Sequence, residues 1–196
     1  YKKNKNNILK NIKNKFDNQI AIRSSTFFED TKTSSGAGMF KSILNINSQK
    51  LLSVDRAIHQ VIHSYKNNKN QKNEILVQKM VKNASFSGVA FSCDKDNAAP
   101  YITINYTKSK NTSDITSGKV NAETFVMYKN SPIKPKNKFI IKIINLIKEL
   151  LKITKNNQLD IEFAIDKFGK IYLLQVRPLI IQKPIKEKLN IDRYLK

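Results

Sequence analysis

The stretch Asp160-Ile161-Glu162-Phe163-Ala164-Ile165, followed by a turn through Lys167, Phe168 and Gly169 and then by Ile171-Tyr172-Leu173-Leu174-Gln175-Val176-Arg177-Pro178, decides the reading of this chain. Both runs are rich in Ile, Phe, Tyr, Leu and Val, and the turn ends in the permissive residue Gly169, so the pattern predicts a β-hairpin. Pairing Ile165 with Lys170 puts Asp160 opposite Gln175 and Glu162 opposite Leu173. Side chains alternate with period two, so Asp160, Glu162, Gln175 and Arg177 share one face. The other face, carrying Ile161, Phe163, Ile165, Tyr172, Leu174 and Val176, is expected to meet the core. The four polar side chains allow two readings. They can hold a hard cation against phosphate oxygens, with Arg adding charge-assisted bonds. Equally, they can be a solvated surface with an ordinary Glu–Arg ion pair.

Upstream, Ala21-Ile22-Arg23-Ser24-Ser25 leads into Glu29-Asp30 and then Ser35-Gly36-Ala37-Gly38-Met39-Phe40. An Arg leaving a strand, followed by small residues and glycines, is the composition of a loop whose amides approach phosphate closely. An ordinary surface turn has much the same composition. Further strands are predicted over 74–81, 87–92, 101–106 and 124–128. Helices are predicted over 48–65, with Ser48 or Ser53 as cap, and over 139–152, whose apolar face is Ile140, Ile143, Ile144, Ile147, Leu150 and Leu151. Strands and helices mix without strict βαβ repetition, which predicts an α+β fold.

The chain has 196 residues, 36 of them basic and 15 acidic, for a net charge of +21. Only four of the basic residues are Arg: Arg23, Arg56, Arg177 and Arg193. Lys, Asn and Ile are over-used throughout, as an AT-biased genome imposes on tolerant surface positions, and the Lys residues are spread without interleaved aromatic platforms. That argues against nucleic-acid binding. It also sharpens interest in Arg23 and Arg177, because such a genome replaces Arg by Lys wherever fork geometry is not needed. No run is long and apolar enough for a membrane span or a signal peptide. The single Cys93 fits a reducing compartment, with cytoplasm as the expected location. His59 and His63 stand at i, i+4 on the predicted helix without a third ligand at useful spacing, and read as surface helix residues. The first residue, Tyr1, points to a piece of a longer chain.

Four stretches in order resemble the ATP-binding (PEP/pyruvate-binding) domain of phosphoenolpyruvate synthase and pyruvate phosphate dikinase, to which rifampicin phosphotransferase and glucan, water dikinase are related. They are Ile22-Arg23-Ser24-Ser25 with Glu29-Asp30 and Ala37-Gly38; Leu76-Val77-Gln78-Lys79-Met80-Val81; Ser87-Gly88-Val89-Ala90-Phe91-Ser92; and Asp160-Ile161-Glu162-Phe163 with Leu174-Gln175-Val176-Arg177-Pro178. The resemblance implies an ATP-grasp fold, mostly its C-terminal part, with a mixed or antiparallel sheet and flanking helices, and with nucleotide held between two α+β lobes. It implies a lead-in over 1–19, a nucleotide-binding domain over 20–182 and a linker over 183–196.

By resemblance, Arg23 and Arg177 are the phosphate-contacting and catalytic arginines, Gly38 touches nucleotide and Ser42 lies near the phosphates. Gln78 lies on the strand lining the adenine pocket, Glu162 and Gln175 are ligands of Mg²⁺ and phosphate, and Asp160 occupies a neighbouring acidic position. The implied cofactors are ATP and Mg²⁺. The implied partners are a swivelling phosphohistidine domain and an acceptor domain, in the same or a partner chain. Two departures stand out. No Gly-rich stretch with its Lys precedes Ala21, and Asn111, Thr112, Ser113 and Asp114 replace the family's Gly-Leu-Gly-Glu run. They keep a second expectation open, a non-catalytic nucleotide-binding or interaction module on the same fold.

Overall fold

The computed structural model describes residues 1–25, 30–31, 34–35, 41–65, 73–108 and 122–181. These residues form two compact units, Tyr1–Met80 and Val81–Lys196. Both are built from antiparallel strands and helices, so the chain is of the α+β class.

The first unit opens with a 3₁₀ turn, Lys2–Asn4, that runs into helix α1, Lys5–Lys15. Strand β1, Gln19–Ser25, follows, then the two-residue strands β2, Asp30–Thr31, and β3, Ser34–Ser35, which pair with each other. Strand β4, Ser42–Asn47, helix α2, Leu51–Ser64, and strand β5, Glu74–Lys79, complete it. The three longer strands order as β4-β1-β5. Against one face of this sheet pack Leu9 and Ile12 of α1 and Val54, Ala57, Ile58 and Val61 of α2, closing over Ile20 and Ile22. The β1–β4 register shifts by one between the pairs Ile20–Ile46 and Ile22–Ile43, and Asn45 takes a left-handed φ of 59° there. This bulge lets Ile43 and Ile46, an odd number of residues apart, both face the helices. The predicted serine caps of α2 are not used. Lys50 is its N-cap, and the Ser48 hydroxyl donates instead to the Phe16 carbonyl at 2.7 Å.

Among the described residues, the second unit is a five-stranded sheet backed by one helix. Its elements are β6, Ala84–Phe91; β7, Tyr101–Thr107; β8, Glu123–Tyr128; α3, Lys138–Thr154; β9, Leu159–Asp166; and β10, Ile171–Pro178. The strand order is β10-β9-β6-β7-β8, which puts β9 between the hairpin partner β10 and β6. Helix α3 starts where the Asn137 side chain accepts the Phe139 N–H at 2.9 Å. It ends at Lys155 in the left-handed region, φ 52°. Ile140, Ile143, Ile144, Ile147 and Leu150 form the buried stripe expected from their spacing. They cover Ile102, Ile104, Ile161, Phe163 and Ile165, each such side chain contributing roughly 1.5–3 kcal/mol by leaving water. Ser92, fully buried, ties the end of β6 to the start of β9. Its hydroxyl donates to Asn157 O at 2.9 Å and accepts the Leu159 N–H at 2.8 Å.

Gly88 sits on the α3 side of β6, where the Phe163 ring crosses it. A Cβ at this position would lie 2.2 Å from the Asn105 carbonyl oxygen and 2.9 Å from Phe163. The first neighbour is backbone paired into the sheet and cannot yield cheaply. Gly88→Ala is therefore expected to destabilise the protein by about 3 kcal/mol, the upper end of ordinary overpacking. Urea denaturation checks this, and a midpoint equal to wild type contradicts it.

Candidate functional site

The β9–β10 hairpin is where the structure both corrects and strengthens the sequence reading. Near the turn Ile165 pairs with Ile171, Ala164 with Tyr172 and Phe163 with Leu173. The register then shifts, and Glu162 pairs with Gln175, Ile161 with Val176 and Asp160 with Arg177. The expected pairings of Ile165 with Lys170, Asp160 with Gln175 and Glu162 with Leu173 are thus replaced. Leu174 is the extra residue of a β-bulge, which an unbroken alternation does not contain. Its effect on facing is decisive. Ile171 before the bulge and Val176 after it both pack on the α3 core, although five residues apart. Tyr172 and Leu174, expected in that core, are not part of it. The Tyr172 hydroxyl instead donates to Asp166 Oδ2 at 3.0 Å.

Glu162 and Gln175 are consequently direct cross-strand neighbours on the face away from α3, with Asp160 and Arg177 the next pair along. The predicted grouping of these four residues on one face holds. The ion pair seen on this face joins Asp160 to Arg177. Arg177 donates from Nε to Asp160 Oδ2 at 2.7 Å, and its Nη2 lies 2.7 Å from the same oxygen. Asp160 is 8% exposed, and its other oxygen, Oδ1, is buried without a hydrogen-bond partner. Glu162 and Gln175 are half-buried. Through β6 the same face continues, Val89 lying beside Glu162 and Phe91 beside Asp160. The donor set of Glu162 and Gln175 is one carboxylate and one amide oxygen with no sulfur or nitrogen ligand. It fits a hard divalent cation of the Mg²⁺ type, which takes one or two carboxylates and completes its shell with water and phosphate.

In the first unit, Arg23 pairs with Ser42 on one side and with Leu76 on the other, while Ala21 pairs with Gln78. Ile20 and Ile22 face the helices. Arg23, Ser42 and Gln78 therefore share the opposite face, Arg23 and Gln78 half-buried and Ser42 exposed. Ser25 N–H donates to the Tyr65 hydroxyl at 3.1 Å, and that hydroxyl donates to Glu74 O at 2.6 Å, fastening the end of β1 to α2 and β5. Gly38, Glu29, Gly36 and the run 111–120 lie outside the described residues. His59 and His63 both turn back onto α2: His59 Nδ1 lies 3.0 Å from Asp55 O, and His63 Nδ1 lies 3.2 Å from His59 O. Burial pushes the Cys93 thiol up, away from the thiolate a nucleophile requires.

Two features escaped the sequence reading. The bulge has a visible signal, the adjacent apolar pair Leu173-Leu174, which breaks the alternation between Ile171 and Val176. Asp166 is the other. Its Oδ1 accepts the Phe168 and Lys170 amides, both at 2.9 Å, which shapes the turn that Gly169 closes at φ 77°. An Asp three residues before a turn Gly is the available signal.

A helix-backed sheet whose far face sets a carboxylate–amide pair beside a half-buried guanidinium has the chemistry of a domain that holds polyanions together with a divalent cation. Comparison with known proteins narrows that class. The model of the family "Pyruvate phosphate dikinase, AMP/ATP-binding domain" matches residues 2–195, and the chain belongs to this family. It is similar to the phosphoenolpyruvate synthase of Neisseria meningitidis serogroup B, at 26% identity over 238 aligned positions. That alignment covers 91% of this chain and 29% of the relative, so the chain spans less than a third of that protein's length. Among solved structures it is similar to D-alanyl-alanine synthetase A of Vibrio cholerae O1 biovar eltor. That match has a TM-score of 0.43 and 14% identity, and covers 88% of this chain and 47% of the other. No helix among the described residues is long and apolar enough to cross a membrane.

Asp166 makes the hairpin turn sensitive to acid. Burial opposes its ionisation, but the Lys170 amide, the Tyr172 hydroxyl and the Phe168 amide outweigh that and hold its carboxyl below the usual range. With a folded pKa depressed below the unfolded one, its stabilising contribution is complete above about pH 4 and is lost as pH falls through the folded value. The stability difference between wild type and Asp166→Asn is expected to stay constant from neutrality down to about pH 4 and to shrink as pH falls below it. Denaturant midpoints across the range measure it, and a difference independent of pH contradicts the assignment.

Proposed function

We propose that this chain is the ATP- and Mg²⁺-binding part of a dikinase-type phosphotransferase. Phosphate from ATP would pass to a histidine on a separate swivelling domain and from there to pyruvate or another acceptor. The observation that carries the reading is the pairing of Glu162 with Gln175 directly beside Arg177, in a chain of the pyruvate phosphate dikinase ATP-binding family.

Phosphoryl transfer depends mainly on positioning and on neutralising charge, so this part of the protein needs no nucleophile of its own. Arg23 and Arg177 serve as phosphate clamps, whose forked donors match phosphate oxygens in a way Lys cannot. Glu162 and Gln175 hold Mg²⁺, which when bound supplies charge neutralisation at the phosphates. Ser42 and Gly38 are assigned next to the phosphates, where small side chains permit close approach. Gln78 is assigned to the strand whose backbone meets the adenine. The histidine and acceptor domains belong to the same or a partner chain, and a cytoplasmic setting goes with the single Cys93.

Isothermal titration of the full-length protein with Mg·ATP tests the assignments. Arg23→Ala and Glu162→Ala are each expected to weaken binding by about tenfold or more, the cost of a lost charge-assisted contact. Unchanged affinity in both variants overturns the residue roles. ATP labelled in its β-phosphate separates the transferase from a non-catalytic module: label on protein histidine supports transfer, and its absence supports the module.

A further inference from the structure

Asp160 is costlier than a structural residue needs to be. It is a carboxylate only 8% exposed, and it spends one oxygen on both Arg177 donors while the other stays buried without a hydrogen bond. A buried ion pair with an unsatisfied oxygen is poor at stabilising a fold, because desolvation offsets its attraction and an apolar pair of similar volume often does better. Continuing the register of the turn would set Asp160 opposite Val176 and turn Arg177 to the other face; the bulge at Leu174 sets it opposite Arg177 instead. Bulges beside functional positions commonly re-aim a side chain in this way.

From this we infer that Asp160 is the positioning residue of Arg177. Two contacts that converge on a single oxygen, the Nε hydrogen bond and the Nη2 ion pair, restrain the plane of the guanidinium and the direction of its remaining N–H groups. A flexible Arg would have to lose rotamer freedom on binding an anion, whereas one already held in place has lost it on folding. Asp160 thus acts on phosphate only through Arg177, and it is not itself a contact for nucleotide or metal. Its negative charge also sits against the guanidinium and moderates its pull on anions, so the gain comes from geometry and not from added charge. The inference rests on the proposed phosphate-clamp role of Arg177.

Affinity measurements on the full-length protein test it, with Mg·ATP and adenosine as the two probes. Asp160→Asn, nearly isosteric, is expected to weaken Mg·ATP by about tenfold while leaving adenosine unchanged, since adenosine offers Arg177 no phosphate. In an Arg177→Ala background the same Asp160→Asn change is expected to have no further effect on Mg·ATP, because the residue it positions is gone. Asp160→Glu keeps the charge but moves the carboxylate by one methylene. It is expected to show the same selective loss, and it provides the measurement if the Asn variant does not fold.

Equal losses with and without Arg177, an equal loss for adenosine, or wild-type Mg·ATP affinity in both Asp160 variants overturns the positioning role. A wild-type protein that binds no Mg·ATP overturns the proposed function along with it. Wild-type binding with indifferent Asp160 variants overturns this inference alone.

Discussion

A single extra residue in β10 is the constraint on which the polar face of the second unit depends. In a regular antiparallel ladder the pairs after Phe163–Leu173 would be Glu162–Leu174 and Asp160–Val176, and Gln175 and Arg177 would turn toward the α3 core. Burying a guanidinium among Ile161, Phe163 and Ile147 would cost far more than a hairpin can supply. Inserting Leu174 as a bulge resolves the conflict: Val176 goes in, and Gln175 and Arg177 go out to meet Glu162 and Asp160. The core supplies the force that holds this register, since slipping by one residue would expose the apolar set and bury the charged one.

The first unit solves a similar problem by the same means. Ile43 and Ile46 both contact the helices because Asn45 bulges out between them, and beyond the bulge Ser42 comes opposite Arg23. Asn tolerates the left-handed backbone there at less cost than a branched residue would. Each sheet therefore has one face sealed by helices and another that carries the polar residues, and in each a bulge sets which side chains reach the second face. The rigidity of those faces comes from details at their margins. Asp166 pins the hairpin turn, Ser92 joins β6 to β9, and Tyr65 holds the end of β1.

How much of this could be read in advance follows from which interactions are local. The helices at 51–64 and 138–154 and the strands around 74–79, 84–91 and 101–107 follow from apolar periodicity, a property of consecutive residues. The common face of Asp160, Glu162, Gln175 and Arg177 was legible for the same reason. The pairing within that face was not. A one-residue offset at the turn and another at Leu174 combine to leave Gln175 and Arg177 facing as expected, while changing every partner and displacing Tyr172 into the Asp166 turn. Cross-strand register is set by packing against α3, which lies outside the hairpin's own sequence. The α2 cap was misread likewise, because Ser48 is drawn to the Phe16 carbonyl by a contact 32 residues away in the chain.

The central claim is that Leu174 is a bulge and that it sets Gln175 against Glu162 and Arg177 against Asp160. Cross-strand nuclear Overhauser contacts in isotopically labelled protein test it most directly, since they report backbone register without reference to any ligand. The account predicts contacts joining residue 162 to 175 and 160 to 177, with Ile165 joined to Ile171 nearer the turn. Contacts joining 162 to Leu174 and 160 to Val176 would contradict it.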